Sequence, residues 1–380
     1  MKSVEISNFK NFRYLKVDNL KRLNLIIGKN NTGKSTLLEA LSIIASAADT
    51  EWIKRLITQR GLVYDPRTVN PDNNEIKRGE KSLCSLYHNH NCEEFYRNPI
   101  VFCTTTIDKL TDTVLQNEIK LYLADVGQIC EINEEGEEVR RRIIIRPEEK
   151  TEIDASIIRP ALIAVRDNNE SRYIHSIGVR SMRSQTLDLT IPFQYVRTTD
   201  FTVDNNAVMF DKIALTPLES YLIEALQIID RRIKAINFLK DENYTGIMKR
   251  REPFVVLEDT MEKYKLSIMG DGLNHILTII LSLLNSCNGI LLIDEFENGL
   301  HYSIQRSLWS FISELAIKLN VQVFATTHSS DCIKSFIDAT STLDESCIIR
   351  LEKRKAGEIA VVYCEAEELG YISNNNIEIR

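Results

Sequence analysis

Residues 289–301 read GILLIDEFENGLH. Gly289 and the apolar run Ile290–Ile293 have the composition of a strand buried on both faces. The run ends on two adjacent carboxylates, Asp294 and Glu295. Burying even one unpaired carboxylate costs several kcal/mol, so something must compensate these side chains. The stretch therefore calls for a fold that brings a cation to the end of a buried strand.

A second stretch answers it. Residues 28–36, GKNNTGKST, satisfy G-x-x-x-x-G-K-[ST] between a predicted strand, Leu23–Ile27, and a predicted helix. Gly28 and Gly33 permit a tight backbone. The N–H groups of Lys29, Asn30, Asn31, Thr32 and Thr36, with the helix N-terminus, suit phosphate oxygens. Lys34 is expected to reach the β and γ phosphates of ATP and to assist catalysis, and Ser35 to ligate Mg2+. In such a protein a second apolar strand ends in an acid beside the phosphates. Asp294 is then the magnesium ligand, through water, and Glu295 the general base that orients and deprotonates the attacking water. A third strand, in VQVFATTHSS (321–330), ends near His328, which can donate a hydrogen bond to the γ phosphate and sense it.

LSIMGDGLNH (266–275) places Gly270 and Gly272 before a helix, another N-terminus suited to an anion. The chain's own nucleotide already has a phosphate loop. The glycine turn is therefore expected to cap the γ phosphate held by a second copy, with Asp271 capping the helix and pointing away.

Composition narrows the class. The 380 residues are 43% hydrophobic and 27% charged, ordinary for a globular protein with room for two or three lobes. A net charge of −7 excludes a global basic field, so any nucleic-acid contact needs a local patch. Eight cysteines show no framework spacing, and MKSVEISNFKNF at the start has no apolar signal core. Both favour a reducing cytoplasm. The longest apolar run, ILTIILSLL (276–284), falls well short of the roughly 20 residues of a membrane span, so none is expected.

Along the chain, Val4–Ser7, Tyr14–Val17 and Leu23–Ile27 read as strands and LLEALSIIASAA (37–48) as a helix. Residues 63–80, rich in Pro, Asn and charge, read as a surface excursion. EIKLYL (118–123), QICEI (128–132) and VRRRIII (139–145) read as strands, with NEEGEE (133–138) as a turn. LESYLIEALQIIDRRIKAINFL (218–239) has the pattern of one amphipathic helix. PFVVLE (253–258) and YKLSI (264–268) read as strands, LNHILTIILSLL (273–284) as a helix and CIIRLEKRKAGEIAVVYC (347–364) as a closing hairpin.

This order of motifs resembles the ABC-type ATPase heads of the SMC, RecF and OLD kind and, more narrowly, the bacterial AAA-15/AAA-21 family. NFKNFR (8–13), GKNNTGKSTLLEAL (28–41), MGDG (269–272), LIDEFENGLHYS (292–303), QVFATTHSSDCI (322–333) and IEIR (377–380) carry the likeness. It implies an α/β P-loop ABC-type head with a mixed sheet, a β-rich subdomain and a short helical insertion. One ATPase domain would span 1–380, made of a P-loop part (1–50), a variable insertion (51–250) and a motif-bearing end (251–380).

The resemblance further implies a homodimer or higher oligomer formed head to head around two ATP molecules. Lys34, Ser35, Asp294, Glu295 and His328 match the catalytic set, and Glu297–His301 the loop that crosses between protomers. Lys10 and Arg13 match a basic pair near the nucleotide, and Gln194 a magnesium-sensing glutamine. Ser267 departs from the pattern, since Ile268 and Met269 separate it from the glycine turn. No Toprim acid cluster follows the ATPase part, so any nuclease is expected on a separate effector protein. Such families often sit in antiviral defence. A RecF-like clamp on duplex DNA and an ATP-bound scaffold with little turnover are the competing readings.

Two further clusters stand apart from these motifs. Cys84, His88, His90 and Cys92 fall within one short stretch. Zinc takes Cys and His, but its ligand pairs are usually separated by a longer loop, so a surface loop is the preferred reading. Arg140–Arg142 and Lys249–Arg251 could contact a DNA backbone or an acidic partner, although solvated charge is the commoner use of such clusters.

Overall fold

The computed structural model describes residues 1–58, 73–107, 111–132, 138–145, 158–167, 173–175, 191–197, 203–240, 251–260, 262–341, 344–354 and 357–364. The chain divides into two compact units, Met1–Asn19 with Glu39–Thr190 and Lys353–Ala360, and Leu20–Leu38 with Ile191–Glu352 and Val361–Arg380. The described residues between 191 and 240, expected within the variable insertion, thus fall in the same unit as the phosphate loop and the acids after residue 293.

The first unit is built on an antiparallel sheet. Its strands are β1 (Ser3–Phe9), β2 (Phe12–Val17), β4 (Ile100–Ile107), β5 (Val114–Ile132), β6 (Glu138–Ile145), β7 (Ile158–Arg166) and β8 (Tyr173–His175). The order is β2-β1-β4-β5-β7-β8, with β6 also on β5. β1 alternates, burying Val4 and Ile6 against Phe102 and its neighbours. The expected strands at 118–123 and 128–132 are one strand of 19 residues. Nothing in the intervening ADVG forces a turn, and successive partners β4, β7 and β6 hold its whole length. The turn expected after it falls mainly on residues outside those described.

The excursion expected over 63–80 is corrected in its second half. Residues Asn73–Cys84 form a helix, α3. Its Glu, Lys and Arg are good helix formers, and Leu83 and Cys84 at its end are buried. A further correction concerns the cysteine stretch. Cys84 and Cys92 form a disulfide, so their sulfurs are not zinc ligands. The stretch between them is no loose loop, for Tyr87 is buried and stacks on Phe95 at 4.8 Å.

The second unit holds a six-stranded sheet of β3 (Leu23–Ile27), β9 (Phe193–Val196), β13 (Ile290–Ile293), β14 (Gln322–Thr326), β15 (Ser346–Lys353) and β16 (Ile359–Cys364), in the order β16-β15-β3-β14-β13-β9. β9, β13, β14, β3 and β15 run parallel. All residues of β3 and β13 are buried, as a strand covered on both faces requires. Asn24 is the polar exception in β3; its amide donates to Lys21 O at 2.8 Å and Val323 O at 3.0 Å. The helices are α5 (Val203–Ile213), α6 (Leu218–Leu226), α7 (Asp271–Leu284), α8 (Tyr302–Lys318) and α9 (Ser330–Thr340). Phe296 stacks on Trp309 of α8 at 4.0 Å, and Trp309 meets Phe336 of α9 edge-on at 4.9 Å.

The single helix expected over 218–239 is two elements. α6 stops at Leu226, and Ile233–Lys240 is a strand, β10, paired antiparallel with β11 (Arg251–Leu257). A register irregularity between Ile233 and Ala235 sets the buried Ile233 and Ile236 three apart, a spacing that imitates a helix. β12 covers only Lys263–Lys265, and Leu266–Met269 form a 3-10 turn where a longer strand was expected.

Candidate active site

Parallel strands deliver their C-terminal ends to one edge of a sheet, and in this sheet β3, β13 and β14 end on the motifs. After β3 the chain turns at Gly28, with φ of 145°. A Cβ there would lie 2.4 Å from the carbonyl oxygen of Leu351, so only glycine fits. Thr32 Oγ1 donates to Lys29 O at 2.9 Å inside the loop, and helix α1 (Lys34–Ala45) begins directly after Gly33. Lys34 is buried, and its ammonium donates to the carbonyls of Gly28 at 2.7 Å and Lys29 at 3.0 Å. Burial pushes the Lys34 pKa down, against the fields of Asp294, Glu295 and Glu297, which push it up. One cation and three carboxylates thus share a field.

The acids are held from several sides. Ser35 Oγ donates to Asp294 Oδ1 at 3.1 Å, bringing the hydroxyl of the phosphate loop to the first carboxylate. Thr326, at the end of β14, donates to the same oxygen at 2.6 Å. Glu295 lies at φ 53°, a left-handed conformation that costs a non-glycine residue about 1–2 kcal/mol. Its N–H donates to Thr326 Oγ1 at 2.8 Å, and the next N–H, of Phe296, to Thr326 O at 3.0 Å. These bonds help hold a conformation that the chain would otherwise avoid.

The following loop is equally constrained. Glu297 Oε1 accepts the backbone N–H of His328 at 2.8 Å. Its Oε2 is buried and meets no hydrogen-bond donor among the described residues. His275 of α7 donates from Nε2 to Phe296 O at 3.1 Å, since a carbonyl only accepts. Burial pushes the His275 pKa down to about 4, although that hydrogen bond and Glu297 oppose the fall. A Cβ on Gly272 would approach Gly299 O to 3.0 Å, so the start of α7 lies close against this loop. Gln305 Nε2 closes it by donating to Leu300 O at 3.2 Å.

The expected site residues are therefore sorted by the fold. Ser35 and Asp294 touch directly, Lys34 senses Asp294 and Glu295, and His328 hangs from Glu297 with its side chain exposed. Lys29, Asn30 and Asn31 are exposed at the turn, and Thr32, Gly33 and Thr36 are buried beneath it. Gln194 is not brought to Asp294. It pairs in register with Leu291, three residues earlier on β13, or about 10 Å along the strand. In the first unit, Lys10 is buried and its ammonium is paired with Glu39, whereas Arg13 stays exposed on β2. Arg251 of the second basic cluster is also committed, donating to Asp211 at 2.9 and 2.6 Å. The side chains of Arg140–Arg142 lie outside the described residues.

Sequence reading missed Thr326 and His275, and named Glu297 only as part of the loop expected to cross between protomers. The two threonines before His328 and the second glutamate after Asp294 were available signals, but only strand register shows what they touch.

The geometry is that of an α/β phosphate-loop hydrolase, and comparison with known proteins gives its family. Residues 110–331 match the family model AAA_21, described as "AAA domain, putative AbiEii toxin, Type IV TA system", and residues 1–120 match AAA_15, an AAA ATPase domain. This chain belongs to the AAA_21 family. A Helicobacter pylori protein named ATP/GTP phosphatase is 28% identical over 362 residues, covering 88% of this chain and 86% of that one. The uncharacterized protein MJECL10 of Methanocaldococcus jannaschii is 31% identical over 98 residues, covering 24% of this chain and 38% of that protein. The fold is shared with the SMC head bound to the C-winged helix domain of ScpA, with a TM-score of 0.52 and 12% identity over 98% of this chain and 99% of that one. The AAA_21 protein is thus an ATPase, and it shares its fold with the SMC head. No helix among its described residues is long and apolar enough to cross a membrane.

Proposed function

We propose that this ATPase works as a head-to-head dimer whose nucleotide state gates a separate effector protein in antiviral defence. The observation that carries the reading is the glycine turn before α7. Gly270, the N-cap residue, has φ of 112° and offers no side chain to the helix, a Cβ built on it would meet nothing within 4 Å, and the Asp271 side chain expected to cap the helix lies outside the described residues. Ile268 beside it is 76% exposed. A helix N-terminus exposed at a glycine suits a γ phosphate presented by a second copy. Gly272 and His275 then tie that helix to the loop that follows Glu295. Engagement of the partner's nucleotide would so be felt at the chain's own general base.

Ser35 and Asp294 suit Mg2+, because a hydroxyl and a carboxylate oxygen 3.1 Å apart are the hard ligands it takes. Held by Ser35 and Asp294, Mg2+ would supply neutralisation of the phosphate charge. Lys34 would leave the Gly28 and Lys29 carbonyls for the phosphates. Glu295 takes the proton of the attacking water, and His328 donates to the γ phosphate. The defence setting is supported by the toxin–antitoxin description of the family, and a separate partner by the ScpA domain seen on the related SMC head.

A clamp on duplex DNA is the second reading. The Arg251–Asp211 pair takes one cation away from it. Purification with the proteins encoded beside it, followed by DNA binding at several salt concentrations, separates the two. The proposal expects a co-purifying protein and weak DNA binding. A lone protein with steep salt-dependent DNA affinity would overturn it.

A further inference from the structure

We infer that Thr326 is a positioning residue that fixes the metal carboxylate and the general base together. The inference rests on the assignment of this site to ATP hydrolysis. Thr326 is the last residue of β14 and is fully buried. The Glu295 N–H can only donate, so it occupies a lone pair of the Thr326 hydroxyl at 2.8 Å. The hydroxyl proton is then free for Asp294 Oδ1 at 2.6 Å, an acceptor strengthened by charge. A single hydroxyl, with both lone pair and proton committed, sets one oxygen of the magnesium ligand and the backbone of the base. Its own carbonyl takes the next N–H, from Phe296.

The same residue links the two strand ends that the chemistry needs. Asp294 and Glu295 follow β13, and Thr326 ends the neighbouring β14 two residues before His328. Asp294 Oδ1 also receives Ser35 Oγ at 3.1 Å. If Ser35 turned toward a metal ion, the Thr326 hydroxyl would still donate to that carboxylate oxygen. Thr326 is thus placed to act through Asp294 and Glu295 without touching ATP itself.

Thr326→Val is the decisive variant, because valine keeps the branched shape and removes only the hydroxyl. The expected result is a fall in kcat of about 10- to 100-fold, the size of a lost hydrogen bond to a charged group, with KM for ATP little changed. Thr326→Ser should recover most of the rate. Calorimetry of ADP binding with and without Mg2+ gives a readout that needs no turnover. The gain in affinity that Mg2+ confers on the wild type should shrink in Thr326→Val and return in Thr326→Ser. A folded Thr326→Val with wild-type kcat and the wild-type Mg2+ gain overturns the inference. If valine prevents folding, Thr326→Cys against Thr326→Ser decides: a lower kcat for the poorly bonding thiol supports the role, and equal rates overturn it. A wild-type protein that binds and hydrolyses no ATP would instead sink the ATPase assignment itself.

Discussion

Glu297 and His328 are joined by one hydrogen bond, 2.8 Å from the histidine's backbone N–H to the carboxylate Oε1. The bond crosses from the loop after β13 to the turn after β14, so the segments that carry the proposed general base, Glu295, and the proposed phosphate sensor, His328, are tied together. Glu297→Ala should lower kcat about tenfold with little change in KM, and Glu297→Gln, which keeps an acceptor, should be milder. In a double-mutant cycle, Glu297→Ala should add little once His328 is alanine. Additive losses would separate the two residues.

Glu295→Gln tests the general base. An amide keeps the shape but accepts protons far more poorly, so turnover should fall by about 100-fold or more while ATP still binds. Light scattering after gel filtration with ATP should show this variant as a dimer. Steady-state hydrolysis at the wild-type rate would take Glu295 out of the role.

Lys34→Ala tests the phosphate loop. The Lys34 ammonium donates to the loop carbonyls of Gly28 and Lys29, which the proposed phosphate oxygens would replace. Its loss should weaken ATP binding by about tenfold or more, as removal of a charge-assisted bond does. Equal Kd by calorimetry for both proteins would place nucleotide binding elsewhere.

His275 gives stability a defined acid limb. Its pKa is near 4 in the fold against 6.5 unfolded, so between these values the unfolded chain binds more protons. Its contribution is therefore fully present above about pH 6.5 and is lost as pH falls toward 4, up to about 3 kcal/mol. His275→Gln, which can still donate to Phe296 O, should flatten that part of the profile. Denaturant unfolding between pH 4 and 7 measures it, and identical slopes for both proteins would refute the assignment.

The Cys84–Cys92 disulfide closes a short loop that is bonded to the turn at Lys10. His88 Nδ1 donates to Lys10 O at 2.9 Å, and Lys10 N donates to Leu86 O at 3.0 Å. Replacing both cysteines by serine should cost about 2–3 kcal/mol, the loop-closure entropy of such a ring. Chemical unfolding without reductant measures the loss. Two free thiols at these positions in the unreduced protein would contradict the bridge.

The phosphate loop, the acids after β13 and the histidine after β14 were legible in the sequence because each is local. A short run of residues, flanked by a buried strand, carries its own chemistry. Even so, local patterns misled where pairing overrode them. The bulge near Ile233 spaced apolar residues as a helix would, and three successive partners fused two expected strands into β5. Gln194 looked suitable by type and order, yet the register opposite Leu291 puts it short of the strand end. Thr326, Glu297 and His275 acquire meaning only from neighbours distant in sequence. The sequence by itself determined the phosphate-loop motif, the paired acids and the histidine on which the proposed nucleotide chemistry rests. Tertiary structure decided which hydroxyl, carboxylate and imidazole hold them in place, because hydrogen bonds act over about 3 Å and only strand register brings those atoms that close.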